Sequence, residues 1–82
     1  MNLMTTIPTA EDAAKHILMT FIRSGARAGY VLPEGRVIRA FWKAPWSATD
    51  FAPGLDFAMR QGWIERTPNG EYRLTESGFA VA

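Results

Sequence analysis

Arg36, Arg39 and Lys43 recur at spacings of three and four, so on a helix they line up as one basic stripe. Such a stripe suits contact with phosphates, and it is equally the ordinary solvated outer face of an amphipathic helix. The residues that could do covalent or acid/base chemistry are sparse. His16, the only histidine, flanks apolar positions with no nucleophile near it in sequence. Serines and threonines fall at cap and turn positions, Asp50 and Asp56 form no evident acid/base pair, and no glycine cluster matches a phosphate-binding loop. No catalytic residue is therefore assigned, and no enzyme or cofactor is expected. The absence of cysteine removes disulfides, thiolate chemistry and cysteine-ligated zinc. With a single histidine, no transition-metal site is expected either.

The 82 residues allow one domain and one core. A hydrophobic content of 48% against 21% charged residues lies far from the composition of disordered chains, so the chain is expected to fold. The net charge of +1 neither demands nor excludes a nucleic-acid partner, and the distribution of charge has to decide. No apolar run approaches the roughly 20 residues of a membrane span. Met1 to Thr9 has neither the basic start nor the apolar stretch of a secretory signal, which makes a cytoplasmic protein without a membrane partner the expectation. Residues 1–8 carry no period and are expected to form a flexible tail.

The elements that must position these residues follow from local patterns. Thr9, three residues before Asp12, is a helix cap. Ala13, Ala14, Ile17, Leu18, Phe21 and Ile22 then make a single stripe at helical period, and Gly25 ends the helix. Tyr30-Val31-Leu32 suits a brief strand. Pro33 opens a second helix over about Glu34 to Lys43, closed by Ala44-Pro45. For the third helix both Ser47 and Asp50 offer caps. Asp50 is preferred because it keeps Pro53 in the first turn, which gives a helix over about Phe51 to Gln61 with Phe51, Leu55, Ala58 and Gly62 inward and Met59 at the edge.

From Gly62 to Thr75 the pattern is a hairpin. Pro68, Asn69 and Gly70 supply a three-residue loop with a bulge. With Thr67 opposite Glu71, Ile64 faces Leu74, Arg66 faces Tyr72 and Glu65 opposes Arg73. A two-residue Asn69-Gly70 loop would set Arg66 against Arg73 and Glu65 against Leu74, and is rejected. Thr75 to Gly78 then begins a last helical turn, with Phe79 and Val81 available to pack.

The order helix, strand, helix, helix, hairpin, with Gly62-Trp63-Ile64 and Tyr72-Arg73-Leu74-Thr75-Glu76-Ser77-Gly78, resembles the winged helix-turn-helix superfamily of MarR- and PadR-like regulators, over about Thr9 to Phe79. The resemblance implies an α+β fold of three helices plus a C-terminal β-hairpin wing, with a short strand between helices one and two. It also implies a small transcription regulator that binds double-stranded DNA. The third helix would enter the major groove with Thr49, Asp56 and Arg60 toward the bases. Arg36, Arg39 and Lys43, together with Arg66 and Arg73 on the wing, would touch the backbone.

The same fold also serves as a protein-interaction module, and Trp42, Trp46 and Phe57 are the interface candidates for that rival. The helical projection turns Phe57 away from the core, where it can pack under Trp46, touch a thymine methyl or fill an interface. A continuous basic face around the third helix and wing would favour DNA, and an apolar or acidic one the rival. So small a core with surplus aromatics also predicts a homodimer, formed through helix one and a terminal segment or through the Trp42, Trp46 and Phe57 surface.

Overall fold

The computed structural model describes residues 9–42 and 46–82. The fold is α+β, in the order α1 (Ala10–Arg23), β1 (Val31–Leu32), α2 (Glu34–Phe41), α3 (Ala48–Arg60), β2 (Ile64–Arg66), β3 (Tyr72–Leu74) and α4 (Glu76–Val81). Residues 1–8, read as a tail, and Lys43 of the basic stripe lie outside the described residues.

Local chemistry accounts for most boundaries. At the start of α1 the Asp12 N–H donates to the Thr9 hydroxyl oxygen (3.1 Å), and the Thr9 N–H donates to the Asp12 carboxylate (3.2 Å). Two of the orphan donors of a helix start are thereby satisfied. At its end Gly25 adopts φ +83°. There the Gly25 and Ala26 N–H groups donate to the carbonyls of Ile22 and Phe21, a Schellman closure. Helix α2 stops at Phe41, short of the expected Lys43. In a longer helix the Phe41 carbonyl would accept from residue 45, a proline with no N–H. It accepts instead from His16 Nε2, 3.3 Å away.

Helix α3 corrects the sequence reading. It begins at Ala48 with Ser47 as its cap, not after Asp50. The Asp50 carboxylate reaches back and accepts from both the Ser47 N–H (3.0 Å) and the Ser47 hydroxyl (3.2 Å), so it supports an earlier start. Pro53 then lies inside the helix and forfeits the bond that the Thr49 carbonyl would otherwise receive. Thr49 and Pro53 are both exposed, so the forfeited bond lies on the solvent side of the helix. The far end closes at Gly62, φ +76°, with the Gly62 and Trp63 N–H groups donating to Met59 and Ala58.

The hairpin register is the expected one: Ile64 pairs with Leu74, Glu65 with Arg73 and Arg66 with Tyr72. The Thr67 N–H donates to Glu71 (2.8 Å) and the Gly70 N–H to Thr67 (2.9 Å), and Gly70 takes φ +80°, the bulge that this loop type requires. Strand β1 adds to the other edge of β3, giving an antiparallel sheet in the order β1-β3-β2.

The last element is a further correction, because a fourth helix stands where a single turn was expected. The Thr75 hydroxyl accepts from the Gly78 N–H (3.0 Å) and donates to the Gly62 and Trp63 carbonyls. Gly78 lies so close to the Trp63 carbonyl that a Cβ could not be placed there. The Leu-Thr-x-x-Gly pattern is thus a cap plus a close approach. Phe79 and Val81, expected to pack, are 41% and 42% exposed.

Helix α1 packs mainly on α3. The fully buried centre comprises Ile17, Leu18, Phe21, Val37, Phe41, Ile64, Tyr72 and Leu74. Among the described residues no helix is long and apolar enough to cross a membrane.

Candidate nucleic-acid interface

Arg36 and Arg39 project from α2 and are exposed, while Val37 and Phe41 of the same helix are buried. Among the described residues neither arginine has an ion-pair partner. The other candidate cations are placed differently. Arg60 pairs with Asp56 one turn earlier (3.0 Å), and Arg73 pairs with Glu65 across the hairpin (3.3 Å). Side-chain exposures of 77% and 58% in the first pair mean that it contributes little to stability. It nonetheless places opposite charges side by side on α3, in the turns that follow exposed Thr49, Ala52 and Pro53. That is not the continuous basic surface that base reading would call for. The Thr49 hydroxyl is engaged with the Ser47 hydroxyl at 2.8 Å.

The two wing arginines separate. Side chains alternate along a strand, so the register puts Arg66, Tyr72 and Leu32 on one face of the sheet and Glu65, Arg73 and Val31 on the other. The Arg66 guanidinium stands 5.6 Å from the Tyr72 ring centroid, and the Tyr72 hydroxyl donates to the Glu34 carboxylate (3.0 Å) at the start of α2. Tyr72 thus stands between Arg66 and the first residue of α2. No sequence signal announces it, since Glu34 and Tyr72 stand 38 residues apart.

Burial, first, and then the hydrogen bond to Glu34 and the charge of that carboxylate raise the Tyr72 hydroxyl above the usual tyrosine value of 10.0, with Arg66 acting the other way. The unfolded chain therefore releases this proton near the usual value while the folded chain keeps it. Stability from this source is fully present below about pH 10 and is lost as the pH rises through the raised folded value. Tyr72→Phe is expected to remove that part of the alkaline loss, measured as urea midpoints from about pH 8 to about pH 11.

The aromatic candidates do not form one patch. Trp46 stacks on His16 (ring centroids 5.1 Å apart, 15°) and tilts against Phe41 (5.6 Å). Phe57 does not pack under Trp46, the first option for it; its partner is Trp63, at 5.7 Å. Trp63 follows the closing glycine of α3 and Phe57 stands in its last turn, so the pair is the apolar contact that accompanies a Schellman closure. Only Trp42, 55% exposed, faces solvent among the three interface candidates.

The fold and these residues define a small α+β domain with cations on α2 and the near face of the hairpin, and with a third helix of balanced charge. Comparison of the chain with protein-family models, with curated proteins and with solved structures finds no match.

Proposed function

We propose that this protein is a winged helix-turn-helix domain that binds double-stranded DNA, as a small regulator, chiefly through phosphates held by Arg36, Arg39 and Arg66. The observation that carries this reading is the exposure of Arg36 and Arg39, without carboxylate partners among the described residues, with Arg66 linked to the start of α2 through Tyr72 and Glu34. Arg60 and Arg73, tied to Asp56 and Glu65, play a lesser part, and base reading by Thr49, Asp56 and Arg60 is the weaker half of the proposal.

The test is a titration with random-sequence duplexes at low salt. Non-specific binding is expected with a Kd of about 10⁻⁴ M or tighter, falling steeply as salt is added. Arg39→Ala should lower the slope of log K against log salt by about 0.9, the value for one lost phosphate contact. A wild-type protein without affinity at millimolar DNA phosphate would overturn the reading. The rival, a protein-interaction module, then takes its place, because α3 exposes Ala52 and Pro53 followed by a balanced ion pair. A homodimer belongs to both readings, and sedimentation equilibrium that finds only a 9.1 kDa species at high concentration would remove it.

A further inference from the structure

Two of the three tryptophans are built into the fold, Trp46 on His16 and Trp63 on Phe57. Trp42 is left 55% exposed, and among the described residues it makes no ring contact. Trp42 is the C-cap of α2, one residue past the last helical position, and its N–H still donates to the Ile38 carbonyl. Continued one residue past the helix at roughly 100° per residue, the projection puts Gly35, Arg39 and Trp42 within about 60° of one another, away from Val37 and Phe41. The Arg39 side chain lies back toward Gly35, where a Cβ would stand 4.0 Å from Nη2, so the glycine leaves the guanidinium uncovered. Arg36 flanks the same line and is exposed. Among the described residues, two cations without carboxylate partners therefore stand a turn or two from an indole without a ring partner.

We propose that this face of α2 binds a single-stranded nucleic acid, with Arg36 and Arg39 on successive phosphates and Trp42 stacked on an unpaired base. The charge selects a polyanion, and the indole selects among polyanions. In an intact duplex each base has both π-faces covered by its neighbours, whereas every base of a single strand offers one. The proposal rests on α2 being the nucleic-acid face, and it adds a preference for unpaired strands, ends or openings over closed duplex.

The test uses the full chain with two fluorescein-labelled probes of equal length, an oligo-dT and a blunt duplex, read by anisotropy, with indole emission followed in parallel. The oligo-dT is expected to bind more tightly than the duplex and to quench part of the tryptophan emission. Trp42→Ala should weaken oligo-dT binding on the order of tenfold and duplex binding little, with Trp42→Phe in between. Arg39→Ala should weaken both. Because Trp42 is exposed, the variants should melt with the wild type. Equal or tighter binding to the duplex, with Trp42→Ala unchanged on both probes, overturns the stacking proposal and leaves the duplex reading standing. Absence of binding to either probe overturns both. Polyglutamate competing as well as oligo-dT would reduce the face to a general polyanion site and also overturns the stacking claim.

Discussion

Truncation of Leu74 to Ala is expected to cost about 2–5 kcal/mol, the largest effect of any single substitution considered for this chain. Leu74 is fully buried opposite Ile64, and its Cδ1 also packs against Gly78 of α4. Removing it opens a cavity where β2, β3 and α4 meet. A domain of this size has roughly 0.05–0.15 kcal/mol of stability per residue, so the loss takes a large part of the whole. Urea unfolding followed by circular dichroism should show a much lower midpoint, or a chain partly unfolded without denaturant. The alternative two-residue loop at Asn69-Gly70 would turn Leu74 to solvent opposite Glu65, and the substitution would then cost less than about 0.5 kcal/mol. A change that small would refute the hairpin register.

That register was legible because its determinants are local. Pro68-Asn69-Gly70 specifies the loop, and a slip of one residue would exchange the Glu65–Arg73 pair for a clash of like charges. The first helix was legible for the same reason, since Thr9, Asp12 and Gly25 act within a few residues of themselves. The start of α3 was not, because two local rules conflict there. Pro53 disfavours an early start, while Ser47 together with the reach-back of Asp50 favours one, and the second proves stronger where the forfeited bond lies on the solvent side of the helix.

The site was legible in its residue types and not in its grouping. The four-residue spacing of Asp56 and Arg60 already marks a helical ion pair, and it weakens Arg60 as a base reader. Phe57 and Trp63 flank the end of α3 at the spacing of a capping contact, a signal that a projection onto a helical wheel discards because Trp63 lies beyond the helix. The link from Glu34 to Tyr72, whose ring also meets Arg66, joins residues 38 apart. Pattern along the chain carries no information about such a contact, because it depends on how β3 is laid beside β1 and on where α2 then begins.

The second large effect is expected at Gly54, and here the sign is the informative quantity. On an open helix, Gly→Ala stabilises by about 1 kcal/mol through helix propensity. Gly54 is buried in α3 against α1, and a Cβ added to it would stand 2.6 Å from the Ala13 Cβ and 2.9 Å from the Ala13 carbonyl carbon. Neither neighbour can swing aside, since one is a methyl fixed to the backbone and the other is the backbone of the central helix. The two helices would have to part along their main contact, so Gly54→Ala is expected to destabilise by about 1–3 kcal/mol, the range for overpacking. Ala13→Gly should recover part of that loss when combined with it, because the closest contact disappears while the backbone contact remains. The two changes should therefore be non-additive in a double-mutant cycle by at least about 0.5 kcal/mol. A gain in stability from Gly54→Ala, or strict additivity with Ala13→Gly, would mean that α1 and α3 do not meet at these two residues.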